Sequence, residues 1–176
     1  GFSLNGPSVI ARCNASQRVD GARGAVLANS EDDFCLDGQR LIPEQGNKGG
    51  NGTRYTTSLN QHSRITSTGQ HQGGPAAWLV ERPNGERWEF AHNANSVDQL
   101  ADNGVIVRWR LSARKDANGN HIQYQYEKAQ ARSQLKQISY AHHQVDFVYA
   151  QRPDSLALYQ HGVAMPLTQR LSYVQV

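Results

Sequence analysis

The feature that most constrains the fold is a series of short alternating apolar stretches, each ended by Gly, Asn, Asp or Pro. Apolar spacing of three and four residues, which marks an amphipathic helix, is almost absent. Period-two runs between turn residues are typical of antiparallel strands. The sequence therefore predicts an all-β chain of successive antiparallel hairpins in a curved or open sheet, with one packed face and one wet face. Single helical turns are suggested only at 30–34 and 96–104.

The clearest hairpin is AAWLVERPNGERWEFAH, residues 76–92. A three-residue loop, Pro83 to Gly85, gives Pro83 its fixed φ and places Gly85 at the left-handed position. This register sets Glu81 opposite Arg87, whereas a two-residue loop would set Glu81 opposite Trp88 and mix the two faces. The three-residue loop instead collects the large apolar side chains on one face: Trp78, Val80, Trp88 and Phe90.

A second hairpin spans residues 107–128, and its turn signals conflict. Asp116-x-x-Gly119 suggests a three-residue loop, whereas the apolar alternation favours a two-residue turn at Asn118–Gly119. We predict the two-residue turn. Its expected cross-strand pairs are Ala113 with Tyr124 and Leu111 with Tyr126.

The rest of the chain is predicted to continue in the same manner. A hairpin over residues 135–151 is expected to turn at His142–His143, and a final strand is expected in TQRLSYVQV. The segments 43–55 and 67–77 are rich in Gly and polar residues and are predicted to be exposed loops, the first followed by a strand at 53–59. The predicted pairs of the hairpin are Tyr140 with Val145 and Ile138 with Phe147.

Length and charge narrow the class of protein. The 176 residues fit one domain, 1–176, and the first residues lack the features of a signal peptide, so we expect a fragment of a larger protein. The net charge is +3, and basic and acidic residues are interspersed. Without a Lys/Arg run, no nucleic-acid partner is expected. No apolar stretch reaches the roughly 20 residues of a membrane helix, so no membrane span is expected.

Two cysteines, Cys13 and Cys35, permit one disulfide or two buried thiols. We expect their Cα atoms to lie within about 7 Å, close enough for a bridge. Cys35 belongs to DDFCLDGQRLI (32–42), whose acidic residues lack the spacing of a calcium loop. Asp37–Gly38 is better interpreted as a tight turn between two short strands.

No constellation for catalysis or metal binding is found in the sequence. The seven histidines show no zinc-ligand spacing, so no metal or cofactor is expected. SRITSTG (63–69) faintly matches an ADP-ribosyltransferase strand, but two residues separate the nearby Glu86 and Glu89, whereas the Glu-x-Glu pair of those enzymes has one. Gly85 and Gly119 are expected at turns. The aromatic residues expected in the core are Trp78, Trp88, Phe90, Trp109, Tyr124 and Tyr126.

Six segments in one order resemble a known family, the SpvB-like domain. They are GFSLNGPSVIARC, DDFCLDGQRLI, GTRYTTSLNQHSRITSTG, GGPAAWLVERPNGERWEF, RWRLSARKDANGNHIQYQY and LKQISYAHHQVDFVYAQRPD. This domain is shared by virulence plasmid protein B and insecticidal Tc toxin B components. Residues 105–150 also resemble a YD (Rhs) repeat, in which Tyr, Asp and Gly recur at hairpin turns.

The resemblance implies a non-catalytic scaffold that contributes to the β-shell enclosing a toxin in a secreted bacterial protein. The implied partners are the rest of the toxin polypeptide or other toxin-complex subunits. Self-association is also expected through unpaired edges at 2–10 and 171–176. Two alternatives remain: a glycan- or receptor-binding module, which an exposed Trp or Tyr cluster would favour, and an ADP-ribosyltransferase-type enzyme. Burial of all three Trp would favour the scaffold.

Overall fold

The computed structural model describes residues 6–15, 21, 24–57, 59, 62–130, 132–156, 159, 160, 163, 164 and 166–176. Within these ranges every helix-or-strand element is a strand. No helix in this part of the chain is long and apolar enough to cross a membrane. The strands are β1 (Val9–Cys13), β2 (Asp33–Leu36), β3 (Gln39–Gln45), β4 (Arg54–Thr57), β5 (Arg64–Thr68), β6 (Ala77–Glu81), β7 (Arg87–Phe90), β8 (Val97–Gln99), β9 (Ile106–Lys115), β10 (His121–Ala129), β11 (Arg132–Tyr140), β12 (His143–Leu156), β13 (Tyr159–Gln160), β14 (Val163–Ala164) and β15 (Leu167–Gln175).

The first half of the fold is a closed barrel of eight antiparallel strands, β1 to β7 and β9. Consecutive strands pair from β1 to β7, and β7 pairs with β9. Closure comes from β9, because Val9 and Ile10 of β1 pair with Arg110 and Trp109. The all-β antiparallel prediction is confirmed, but the curved or open sheet is wrong for this part, since closure leaves the barrel strands no free edge.

The second half is an extended sheet, here called the arm, made of β10, β11, β12 and β15. It begins where β10 pairs with the C-terminal part of β9, with Ile122 opposite Arg114. Strand β8 runs beside the N-terminal part of β9, with Asp98 opposite Arg108. Strand β9 is therefore both a strand of the barrel and the strand from which the arm extends.

The first hairpin is confirmed. Trp78 pairs with Phe90, Val80 with Trp88, and Glu81 with Arg87. The loop between β6 and β7 closes with the Arg82 amide donating to the Glu86 carbonyl, and Gly85 has φ +82°. All four predicted apolar side chains of this face are buried.

The predicted register of the second hairpin is wrong by one residue. Gln123, not Tyr124, lies opposite Ala113, and the loop has three residues with Gly119 at φ +88°. The Asp116 carboxylate stabilises this loop by accepting hydrogen bonds from the backbone amides of Asn118 and Asn120, each at 2.9 Å. The face argument failed because the pairing of β7 with β9 shifts register between Glu89 and Phe90, which inserts Ser112 as a bulge and reverses the alternation.

The third hairpin is also misplaced, by two residues. Tyr140 pairs with His143 and Ile138 with Val145, so the turn is Ala141–His142, with Ala141 at φ +49°. A slip of two keeps every side chain on its face, so the apolar pattern does not distinguish the two registers.

Several smaller predictions are corrected by the fold. Segment 97–99, predicted as part of a helical turn, is β8, and within 30–34 residues 33 and 34 already belong to β2. The predicted loop 43–55 begins inside β3 and ends inside β4, and the loop 67–77 overlaps β5 and β6. In the predicted N-terminal edge, 2–5 lie outside the described residues, and β1 pairs on both sides, so it is no free edge. Strand β15 does end the sheet order.

Aromatic side chains fill the barrel interior. Trp78 lies at its centre, with ring centroids 5.0 Å from Phe34, 5.2 Å from Tyr55 and 5.8 Å from Trp109. Trp78 and Trp109 have no exposed surface, and Trp88 is 7% exposed. The barrel is therefore a packed core, and none of its three tryptophans is available for stacking on a sugar.

Candidate functional site

The residues with a faint resemblance to a catalytic set are used in packing and ion pairs. Ser67 is fully buried in β5 and donates to the Gly50 carbonyl at 2.6 Å. Glu86 pairs with Arg114 at 3.3 Å, and Glu89 pairs with Lys115 at 3.1 Å. These carboxylates are held in surface ion pairs that join β7 and the residue before it to β9. No group of three or more His, Cys, Asp or Glu side chains that would suit a metal ion occurs in the described ranges.

A buried ion pair lies beside the aromatic core. The Arg12 guanidinium contacts Asp32 at 3.1 Å and donates to the carbonyl of Ile106 at 2.8 Å. Asp32 also accepts from the backbone amides of Leu27 and Asn29, so both charges are compensated. Burial lowers the pKa of Arg12, and the charge of Asp32 opposes that shift. This pair joins β1, β9 and the 27–32 turn and stabilises the closure of the barrel.

The two cysteines form a disulfide that fixes β1 to β2. The Cα atoms of Cys13 and Cys35 are 5.9 Å apart, within the predicted limit for bridging. The adjoining Asp37–Gly38 pair makes the predicted tight turn, with Leu36 opposite Gln39. The Asp37 side chain accepts a hydrogen bond from the Val9 amide, so the DDFCLDGQRLI segment is a pair of barrel strands and their turn, attached to β1.

Trp88 lies near the arm side of the barrel and is stacked by two arginines. The guanidinium carbons of Arg82 and Arg114 lie 3.8 and 4.6 Å from its ring centroid. Its indole nitrogen donates to Glu86 at 3.2 Å, and Glu86 also pairs with Arg114. Trp88 is thus a core residue whose outer face is covered by two guanidinium groups. The cation–π contacts replace part of the solvation that these guanidinium groups lose.

The remaining predicted site residues connect barrel and arm. Tyr124 and Tyr126 are buried, and the Tyr126 hydroxyl donates to the Leu111 carbonyl at 2.7 Å. Burial raises the pKa of Tyr126 well above its ordinary value. At the loops, an added Cβ on Gly85 would lie 2.8 Å from the Ala117 side chain, so the first two hairpin tips touch there.

A junction that sequence reasoning missed is centred on Asp98, which is fully buried in β8. Its carboxylate accepts from Arg110 Nη2 at 2.7 Å and from the Ser133 backbone amide at 2.6 Å. Arg108 lies 3.9 Å away. The buried carboxylate thus connects two barrel arginines to the start of β11, and the Ser133 hydroxyl adds a second link by donating to the Val97 carbonyl at 2.7 Å. The only signal in the sequence was Arg108-x-Arg110, two cations on one face of a strand.

Comparison with known proteins gives a family and a fold. The family model described as Salmonella virulence plasmid 65kDa B protein matches residues 37–171. The N-terminal domain of effector protein SpvB from Salmonella typhimurium strain LT2 superposes with TM-score 0.74 and 17% identity over 96% of this chain and 74% of that chain. No curated protein matches the sequence.

Two solved toxin assemblies contain the same fold. TcdB2-TccC3 has TM-score 0.72 and 16% identity, and the Photorhabdus luminescens Tc holotoxin pore has TM-score 0.73 and 16% identity. Both comparisons cover 96% of this chain but 11% of the other, so the chain spans about a tenth of those polypeptides.

Proposed function

Because the chain belongs to the family of the Salmonella virulence plasmid 65kDa B protein, we propose that it is a non-catalytic structural module of a secreted bacterial toxin. In this proposal the barrel is a rigid block, and the arm contributes strands to the β-shell that encloses or delivers the toxin. Residues 105–150, which resemble a YD repeat, supply the hairpins at this transition. The partners are the remaining toxin polypeptide or other subunits of a toxin complex.

The observation that carries the proposal is the division of β9 between a filled barrel and an extended sheet. A filled barrel has no interior site for a substrate, and its tryptophans are buried. The arm, by contrast, ends at β15, whose outer edge pairs with no described strand and which carries exposed apolar side chains, of which Tyr173 is 55% and Val174 42% exposed. Unpaired N–H and C=O groups on such an edge accept a further strand.

Strand addition at β15 accounts for both expected kinds of partner. In a full toxin the added strand comes from the shell, and in the isolated domain it comes from a second copy. Residues 171–176 contain no charge or proline that would block pairing. The disulfide agrees with the proposed export, because such bridges persist in oxidising compartments.

The test is assembly of the toxin that contains this domain. A Val174→Pro variant removes one amide donor of β15 and is expected to reduce both dimerisation of the isolated domain and protease protection of the cargo. Arg64→Gln, on the barrel, is the control because Arg64 is 58% exposed. Normal assembly in Val174→Pro would contradict the shell proposal. NAD turnover that disappears in Glu86→Gln or Glu89→Gln would replace it with the enzyme hypothesis.

A further inference from the structure

Two cavities of the arm differ in their charge balance. The larger, about 660 Å³, lies at the hairpin tips beside Arg114 and Lys115. Both cations are paired there, with Glu86 and Glu89. The smaller, about 350 Å³, lies between the start of β11, the middle of β12 and the start of β15. Its charged lining is entirely basic.

Three strands of the arm each contribute one arginine to the smaller cavity. They are Arg132 of β11, Arg152 of β12 and Arg170 of β15, and none of the described residues that line the cavity is Asp or Glu. Arg170 lies opposite Ala150 in β12, and Arg152 follows Ala150 by two residues. The rest of the wall is partly polar, with Ser133, Gln134, Thr168 and Gln169, and partly apolar, with Ala129, Tyr149, Pro166, Leu167 and Leu171. We call this the basic cavity.

Most of the positive charge of the basic cavity is uncompensated. Arg152 contacts Asp154 at 3.1 Å. The side chains of Arg132 and Arg170 form no hydrogen bond and no ion pair with any residue in the described ranges, although the charge of Arg170 contributes, after the hydrogen bond from Arg152, to lowering the pKa of Asp154. In the sequence, the segment 157–166 between β12 and β15 contains no Asp or Glu. The nearby Glu127 is engaged by the side-chain amide of Gln134 at 2.8 Å.

Three guanidinium groups against one carboxylate leave two positive charges on the cavity. Holding like charges together is unfavourable, and a bound anion offsets their repulsion because it attracts each guanidinium group. A carboxylate offers two oxygens and one charge, which a single arginine can match. A phosphate or sulfate group offers more acceptor oxygens and up to two negative charges, which suits several planar guanidinium forks.

We propose that the basic cavity is a binding site for a phosphate or sulfate group, held by Arg132, Arg152 and Arg170. The cavity volume leaves room for a small fragment attached to that group, such as a sugar ring or the head of a lipid. The site lies next to the β15 edge, so a bound anion would also brace β11, β12 and β15 against one another. The inference does not depend on the scaffold proposal, because it concerns this cavity alone.

The test is titration of the domain with inorganic phosphate, sulfate and acetate at constant ionic strength, followed by isothermal titration calorimetry and by NMR. Phosphate and sulfate are expected to bind and to shift amide signals of β11, β12 and β15. Arg132→Gln and Arg170→Gln are each expected to weaken binding by about tenfold, since each removes charge-assisted hydrogen bonds. Arg64→Gln is the matched control, an exposed barrel arginine that should leave binding unchanged.

The source of the anion is decided with two larger probes. Tighter binding of glucose 6-phosphate than of inorganic phosphate would assign the site to a sugar phosphate, and retention on phosphatidylinositol phosphate vesicles would assign it to a lipid headgroup. The proposal is overturned if millimolar phosphate produces no shifts, if the two variants bind as well as the parent domain, or if acetate binds equally well. Folding of each variant is checked by the dispersion of its NMR spectrum.

Discussion

Replacing Asp98 with alanine should loosen the arm from the barrel. The carboxylate is fully buried and accepts from Arg110 and from the Ser133 amide. Its removal leaves a buried N–H without a partner, which costs about 1–3 kcal/mol. It also leaves arginines without their counter-charge, and breaking a buried pair in this way costs about 3–5 kcal/mol. Arg110 keeps 22% of its side chain exposed, so water offsets part of the second cost.

The expected loss for Asp98→Ala is therefore about 3 kcal/mol, toward the lower end of the range for a buried pair. In a domain of this size that corresponds to a fall in melting temperature of about 6–12 °C. Asp98→Asn keeps one acceptor oxygen for the Ser133 amide but loses the charge and the second acceptor oxygen, which faces Arg110, so a smaller cost of about 2 kcal/mol is expected. Asp102→Ala is the control, because Asp102 lies exposed in the following turn.

The assay combines urea unfolding, followed by tryptophan fluorescence, with amide hydrogen exchange. Tryptophan reports on the barrel, since all three indoles lie there, whereas exchange resolves the arm strand by strand. In Asp98→Ala, protection is expected to fall first at Ser133 and along β11, with the barrel retained. The reasoning would be refuted by a cost below 1 kcal/mol, or by equal loss of protection in barrel and arm.

Three further predictions test other parts of the molecule. Trp88→Ala is expected to cost about 3–5 kcal/mol in urea unfolding, as for other large core truncations, and a cost near zero would contradict its place in the core. Reduction of Cys13–Cys35 should lower stability by about 3 kcal/mol in the chain-entropy model, and a Cys13→Ser, Cys35→Ser variant that is insensitive to reductant is the control. Hydrogen bonds from Asn120 and the loop amides hold the pKa of Asp116 below its usual value. A lowered folded-state pKa gives stability that is present above about pH 4 and is lost as the pH falls toward the folded value, so Asp116→Asn should flatten the acid limb of a pH–stability curve. An unchanged limb would exclude this role for Asp116.

How much of the fold the sequence predicts depends on whether local signals agree. Around Gly85 the loop chemistry and the apolar faces indicate the same register, and the hairpin is correct. Around Gly119 they disagreed, and the loop chemistry was the better guide, because the Ser112 bulge had reversed the faces. At Ala141 both registers bury the same side chains, so no local signal separates them.

Non-local features were beyond such reasoning for a different reason. Closure of the barrel depends on pairing between Val9 and Arg110, which no periodicity within either strand records. Asp98 lies in a short strand whose Asp, Asn and Gly neighbours suggested a helical turn. Its partners come from β9 and β11, so its burial follows only once the arm is placed against the barrel.

Closure by β9 also sets the order in which the chain is able to fold. The pairing of Val9 with Arg110 joins residues separated by 101 positions, and such contacts form slowly because a long loop must be ordered first. A chain that emerges from its N-terminus holds β1 to β7 as an unfinished sheet until residue 110 is available. The Cys13–Cys35 bridge spans only 22 positions, so it is able to form during that interval and keep β1 beside β2. Strand β9, which closes the barrel, is also the strand with which β10 of the arm pairs, so the arm acquires its pairing partner when the barrel closes.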